Sequence, residues 1–581
     1  MNTDNQDSNP GRGRIIRLEI LQPEDLENPL ENKFQVALNE NPMTDHDRQR
    51  GRSAEEYHQQ AAMYHDIMVD FCKNVGLPED MPMEEWDGLI EGDIVPTMND
   101  LRELRDEIRT PHRRKRKMTS NTDNYWTSPI QYIIDAAMPE SHVAAIRSAI
   151  TEWESLTCLH FQQTSTPVGN YLQIIYGNGC WSSLGMRQGG QLLSLGLGCG
   201  SHGAAIHELA HAIGFHHEHV RTDRDEHITV HYENVIAGRE ANFHKKNQSN
   251  FDFFDDIPYD LGSNMHYRKR AFFNSSDLDL LTIETVIPVY ENRIGDQSKL
   301  SFYDALTANL AYCNGDASPC QAKGGLLTPE CQHGGYWNPN NCDVCICPAG
   351  LAGDRCETVA PSEGTTEGEI LDISCGDSVH FFGAQLSADT NKQEAYWLLR
   401  APASATISFQ LTSISSICYS LDGLTCETRL GCPDWLEVKY LDLAKAGPWF
   451  CVANTYGYPL LKSTQNEIIL IARSTHNADF AFEFTYEAQC PDCYCVEWGP
   501  YSSCDVANTP NNCGCTMQKR SCVRAEGHCT DPIPDEHVYC QPIKKVVAAC
   551  IGGEDGPAYC CDDWLLLKEG ENDMCTFHKC S

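Results

Sequence analysis

The chain contains no run of about twenty apolar residues, so no membrane-spanning helix is expected. Its N-terminal stretch, MNTDNQDSNPGRGRIIRLEILQPEDLENP, also lacks the apolar core and small-residue cleavage site of a secretory leader. Basic residues are scarce: 44 Lys and Arg stand against 82 Asp and Glu. The formal net charge of −38 excludes nucleic acid or an anionic membrane as the main partner. Cysteine is almost missing from the first quarter, where only Cys72 precedes Cys158, which excludes a disulfide scaffold there. The remainder carries nearly all of the 30 cysteines, a density that implies an oxidising, extracellular setting. The cysteines outweigh the missing leader, so a secreted protein with an incomplete or mis-started N-terminus is expected. A length of 581 residues calls for several domains.

What is present centres on HELAHAIGFHHEH, His207 to His219. His207 and His211, four residues apart, share one helix face about one turn (~6 Å) apart, a spacing at which two imidazoles bind one tetrahedral zinc ion. Glu208 is placed to take a proton from water at such a metal. Gly214 accepts the left-handed turn that stops a helix. The chain then brings His217 round as a third ligand and leaves the fourth position open, the pattern of a catalytic rather than a structural zinc. A bare HExxH arises by chance in many helices. The extended HExxHxxGxxH fixes five positions and resembles the signature of the metzincin peptidases. His216, His219 and His227 read as surface or packing residues rather than ligands.

Residues 1 to about 50 are polar and acidic and are expected to be disordered. A helical pattern follows from Glu55 to Cys72, with Ala61, Met63, Ile67, Met68 and Phe71 at three and four spacing, and a charged helix-like stretch runs from Asp100 to Arg109. The basic run Arg113-Arg114-Lys115-Arg116 is either a solvated linker or a cleavage site for a furin-like convertase. Because it divides a cysteine-poor segment from the cysteine-bearing remainder, residues 1–116 read as a propeptide. From Lys117 to Cys313 the chain is long enough for a sizeable core. Ser141 to Thr157 reads as an amphipathic helix with Ser141 as N-cap and Val143, Ile146, Ile150 and Trp153 on one side. Tyr171 to Tyr176 has strand composition, and Ser201 to Gly214 is the zinc helix.

With its continuation to Asp225, the motif resembles that of the astacin family of zinc metalloendopeptidases, as does SNMHY, Ser263 to Tyr267. The resemblance implies that Met265 forms an apolar floor beneath the metal. It also implies that Tyr267 is a further zinc ligand in the active form, able to swing away and stabilise the tetrahedral intermediate. Gly179 to Cys199 is similar to the family's cysteine loop, implying a Cys180–Cys199 bridge and a Cys158–Cys313 bridge across the domain. Ile90-Glu91-Gly92-Asp93 resembles the family's propeptide switch, with Ile90 where Phe is usual; Asp93 is then the metal ligand of the latent form. The alternative reading of Gly92-Asp93 is a plain turn. Cleavage after Arg116 makes Lys117 the new N-terminus, which in similar enzymes is tucked towards the glutamate here numbered Glu218. Gln297 stands where many members carry an arginine that selects acidic side chains after the scissile bond; Lys299 and Arg293 are possible substitutes.

Cys320, Cys331, Cys342, Cys345, Cys347 and Cys356 form a compact group resembling an EGF-like module (316–357). Read as zinc ligands, Cys342 and Cys345 lack a second pair at matching distance. A Ser/Thr/Glu/Gly linker (358–370) leads to strand-like runs resembling a CUB β-sandwich (371–490). Asp434 is one of three acidic positions in its calcium motif, the others being Thr412 and Thr475, so no calcium is expected there. Residues 491–550 resemble a thrombospondin type-1 repeat with Trp498 and Arg520 as its ladder, and the Cys-rich tail 551–581 has no assignment.

The expected fold is thus multidomain: an α+β metzincin-like catalytic domain (117–315) followed by EGF-like, all-β CUB and thrombospondin modules. The expected function is a secreted zinc metalloendopeptidase with one Zn²⁺ per chain. It is made as a zymogen, is activated by a furin-like protease and acts on extracellular matrix or cuticle proteins, as in nematode moulting. Asn247 and Asn274 open N-glycosylation sequences consistent with secretion. The rival is a non-catalytic matrix or adhesion protein that retains a protease-shaped domain.

Overall fold

The computed structural model describes residues 53–67 and 88–490, with interruptions at 54, 57–58, 65–66, 110–117, 119–121, 247–256, 275–279, 314–318, 366, 376–378, 387–392, 417–431, 433, 452–457 and 475–479. It also describes the backbone of short strands between 495 and 577. Arg113, Arg116, Lys117, Asn247, Met68, Phe71 and Thr475 lie outside the described residues, as do the side chains of Trp498 and Arg520. No described helix is long and apolar enough to cross a membrane.

A twisted sheet of six strands, β1 (Ile94–Val95), β2 (Ile130–Ile134), β3 (Phe161–Gln163), β4 (Tyr171–Ile175), β5 (Cys180–Ser183) and β6 (Gly190–Leu195), has the order β1-β5-β6-β4-β2-β3. β5 runs antiparallel to β6 and every other pairing is parallel. The edge strand β1 comes from the segment upstream of the basic run: Ile94 pairs with Ser182 and Val95 with Ser183. Behind β1, Thr97 caps helix α1 (Met98–Arg109). Its Oγ1 accepts from the Asp100 N–H (3.2 Å) while Asp100 Oδ2 accepts from the Thr97 N–H (2.6 Å). Ala61, Ile67, Ile90, Ile94, Leu101, Leu104 and Ile108 bury a separate small core around this segment.

Helices α2 (Glu140–Leu156) and α3 (His202–Ala212) pack together, and α3 lies against β5 and β6. The core holds Ile146, Ile150 and Trp153 of α2, Leu172, Ile174, Leu193 and Leu195 of the sheet, and Ile206 and Leu209 of α3. α2 starts one residue before the expected cap. Pro139, at φ −59° and ψ 145°, is its N-cap, and no side chain caps it. A proline's fixed φ already suits a chain entering a helix, and Ser141 Oγ instead meets His142 Nδ1 at 3.2 Å. Helix α4 (Phe302–Tyr312) opens with a capping box between Ser301 and Asp304, and β7 (Ile228–Val230) pairs with β8 (Ile283–Thr285). Disulfides join Cys158 to Cys313 and Cys180 to Cys199.

Residues 320–356 form a small module closed by Cys320–Cys342, Cys331–Cys345 and Cys347–Cys356, so Cys342 and Cys345 are spent on two different bridges. Its Asn340 Nδ2 donates to the carbonyls of Glu154 (2.7 Å) and Thr157 (3.1 Å), fastening it to the end of α2. Residues 370–489 form two sheets, one of five strands and one of four, enclosing Leu386, Trp397, Leu399, Ile407, Leu436, Ile468, Leu470, Phe480 and Phe482. Cys375–Cys490 and Cys432–Cys451 close this sandwich. In it Asp434 is buried, and Thr412 bonds the Glu483 carbonyl (3.0 Å).

Candidate metal centre and its plug

Ser201 starts α3 by accepting a hydrogen bond from the Ala204 N–H (3.1 Å). Every side chain from Ala205 to Ala212 is buried, so His207, Glu208 and His211 are carried by an element with no freedom to shift. Gly214, at φ +106°, turns the chain out of the helix. Phe215 N–H then closes onto the Ala210 carbonyl (2.9 Å), and His217 swings back beside the first two histidines. The three ring centroids lie 4.8–5.1 Å apart.

All three rings are held at Nδ1 by oxygen. His207 Nδ1 faces the Asn264 carbonyl (3.1 Å), His211 Nδ1 the Phe215 carbonyl (2.7 Å), and His217 Nδ1 the Glu91 carboxylate (3.2 Å). These oxygens only accept, so each Nδ1 carries a proton, and in the neutral, metal-binding form of each ring Nε2 offers its lone pair. The three Nε2 atoms converge on Asp93: His207 and His211 at 3.1 Å and His217 at 3.3 Å. The four ligand atoms lie within 4.8 Å of one another. Three lone pairs and a carboxylate around one point repel unless positive charge lies among them. Among the described residues, Asp93 Oδ1, His211 Nε2, His217 Nε2 and Glu208 Oε2 are buried with no hydrogen-bond partner. Nitrogen donors with oriented second shells and one carboxylate fit a zinc ion.

The electrostatics follow. Burial opposes the charge on Asp93, yet the nearby imidazoles of His217, His211 and His207 hold its carboxyl well below the usual range. Burial, with the Asp93 charge adding to it, pushes Glu208 well above the usual range. Desolvation brings His211 down to about 4, while Asp93 and Glu91 overcome desolvation at His217 and carry it up to about 9.

The segment 263–267 is braced from α4. Asp304 accepts from Ser263 Oγ (2.7 Å) and from the Asn264 N–H (2.9 Å), which aims the Asn264 carbonyl at His207. Met265 is fully buried in the main core, and its carbonyl accepts the Glu218 N–H (2.9 Å). Glu218 Oε1 accepts from the Asp260 N–H (2.9 Å) and lies 3.5 Å from Arg221. Tyr267 stacks on His219 at 3.7 Å, meets the His217 ring edge-on at 4.6 Å and donates its hydroxyl to the Glu91 carbonyl.

Asp93 arrives on a tight turn in which Ile90 and Ile94 exchange both backbone hydrogen bonds at 3.0 Å. Glu91 (φ +48°) and Gly92 (φ +81°) are left-handed. A Cβ on Gly92 would stand 2.6 Å from Phe272 Cζ and 2.9 Å from Tyr267 Oη, so any other residue forces these side chains or the turn to move. Glu91, which no motif singles out, is buried. Its Oε1 lies 2.9 Å from His216 Nδ1 and 3.4 Å from Lys246 Nζ, and its Oε2 accepts from the His217 N–H at 3.2 Å. His216 and His219 are therefore buried parts of the site rather than surface residues; packing against Glu91 and Tyr267 put them there. His227 is half-buried, stacked on Tyr259.

Gln297 reaches the site, its Nε2 3.4 Å from His207 Nδ1. Arg293 does not: it pairs with Asp296 (3.2 Å) and lies 4.6 Å over the ring of Trp449 in the sandwich. Lys299 is exposed, and so is Asn274.

Three histidines converging on one point beside a buried carboxylate define the class of a zinc-binding protein. Residues 118–313 match the model of the astacin peptidase family. The chain is 32% identical over 383 residues to zinc metalloproteinase nas-36 of Brugia malayi, covering 65% of this chain and 62% of that protein, so less than two thirds of that relative's length is spanned. It is 31% identical to zinc metalloproteinase dpy-31 of Haemonchus contortus, covering 69% and 71% respectively. Among solved structures it is similar to high choriolytic enzyme 1, a hatching enzyme zinc-protease from Oryzias latipes (29% identity, TM-score 0.31, 34% of this chain and 98% of that one). The chain belongs to the astacin family, and zinc is the metal its donor set takes.

Proposed function

We propose that this chain is a secreted zinc endopeptidase held latent by residues 90–95 and activated by cleavage after Arg116. The observation that carries this reading is the convergence of three Nδ1-anchored imidazoles on Asp93, beside the unpartnered Oε2 of Glu208. Bound there, zinc supplies Lewis acidity towards a carbonyl and lowers the pKa of water towards ~7. Glu208 takes the proton of the attacking water and returns it to the leaving amine. Tyr267, released from the Glu91 carbonyl, donates its hydroxyl to the oxyanion. β5, freed of β1, offers its edge to an extended peptide.

Met118 supports the activation step. It is buried and bridged to Phe215, three residues before Glu218, so a cut after Arg116 leaves the new ammonium of Lys117 one residue from that anchor. The modules at 316–357, 371–490 and 491–550 are read as EGF-like, CUB and thrombospondin type-1. They position the protease on extracellular matrix or cuticle proteins, the substrates we assign to it by its resemblance to nematode astacins. The test compares casein hydrolysis by chain cut after Arg116, uncut chain, and cut chain treated with 1,10-phenanthroline and then zinc. Hydrolysis by the cut chain alone, lost with chelator and restored by zinc, is expected. A cut, zinc-loaded chain without hydrolysis would instead establish the adhesion-protein reading.

A further inference from the structure

Glu91 occupies a pocket whose chemistry outlasts it. The Lys246 ammonium is buried, its backbone fixed by a hydrogen bond from its N–H to the Val220 carbonyl (2.7 Å). Among the described residues, Glu91 is the carboxylate within ion-pair distance of it. His216 Nδ1, the His217 N–H and His217 Nδ1 face the same two carboxylate oxygens. Glu91 makes these contacts from a left-handed conformation (φ +48°) that a side-chain-bearing residue rarely adopts. Once the segment leaves, the Lys246 ammonium and the His216 and His217 edges lose the carboxylate they face, and that position is open to another anion of the same shape.

We propose that Lys246, His216 and the His217 N–H and Nδ1–H form a carboxylate subsite, filled in the latent chain by Glu91 and in the activated chain by a glutamate side chain of a bound peptide. This rests on the reading of 90–95 as an excisable plug. Glu91 is then a second latch beside Asp93, and the subsite gives the activated protein a selectivity for acidic peptide that does not depend on position 297.

The test uses full-length Glu208→Gln chain cut after Arg116, with the cut verified by mass, so that binding is read without turnover. Fluorescence anisotropy measures a labelled peptide of residues 86–99 and its Glu91→Gln form. Loss of a charge-assisted pair predicts about ten- to hundredfold weaker binding of the Gln peptide. That difference is expected to collapse when the protein carries Lys246→Met and to be largely retained with Lys246→Arg. Equal binding of the two peptides, a question independent of how the Lys246 variants fold, overturns the subsite. So does a Gln penalty of the same size in a folded Lys246→Met protein. Failure of both peptides to bind overturns the subsite by removing its plug, whereas the chelator test of hydrolysis is unaffected by any of these results.

Discussion

The metal centre is assembled from two regions built on opposite rules. α3 and the turn after it are a permanent scaffold: a capped helix buried along its length, with the first two histidines anchored to backbone carbonyls of Asn264 and Phe215. The segment 90–95 is held by a two-residue strand pairing, by burial of Ile90 and Ile94 in the small core, and by contacts from Glu91 and Asp93 to imidazoles and Lys246, and it contains two left-handed residues. The third histidine belongs to both, because its Nδ1 anchor is the plug's own Glu91. The first two histidines keep their carbonyl anchors without the 90–95 segment, and on the reading proposed here one cut releases that segment. His217, Lys246 and Tyr267 each contact Glu91, and these contacts go with the segment.

The comparison is broken most sharply at Glu208. Glu208→Gln in the cut chain is expected to lower kcat/KM on casein by about 10²- to 10⁴-fold, with zinc content by atomic absorption unchanged because the scaffold is untouched. Wild-type rates in that variant would remove Glu208 from the chemistry. Next comes the brace of the scaffold. Asp304→Asn weakens the contacts to Ser263 and Asn264 and is expected to cost about 2–3 kcal/mol of stability in a denaturant titration. It should also loosen zinc retention during dialysis, because the Asn264 carbonyl no longer fixes His207. Smaller again, Asp93→Ala in uncut chain removes the plug's main contact and is expected to raise basal hydrolysis about ten- to hundredfold without altering the cut enzyme. A fully latent variant would count against the switch.

The scaffold was legible in the sequence because its ligands lie within eleven residues and obey the helical period, with Gly214 marking the stop. Asp93 was legible only through resemblance, and Glu91 not at all: nothing in spacing says that a turn glutamate will meet Lys246, 155 positions later. The misplaced cap at Ser141 is a local miss, since Pro139 already supplies the entry geometry. Six cysteines in 320–356 allow fifteen pairings, so their connectivity had to come from the fold. Arg293 read as a possible specificity residue because sequence cannot show the docking of the sandwich, whose Trp449 captures it.

The smallest effect separates strain from charge in the plug. Gly92→Ala leaves every ionisable group in place and adds one methyl, which would meet Phe272 Cζ at 2.6 Å and Tyr267 Oη at 2.9 Å at a backbone φ of +81°. Left-handed alanine alone costs about 1 kcal/mol, and the contacts force either Tyr267 or the turn to move. Basal hydrolysis by uncut chain is expected to rise about five- to tenfold, less than for Asp93→Ala because the carboxylate still competes for the metal. The cut enzyme, which has lost residue 92, is expected to match wild type. A rise equal to that of Asp93→Ala would mean that turn geometry, not the carboxylate, holds the plug; no rise would mean that charge alone suffices and that Glu91 and Asp93 can drag a strained turn into place.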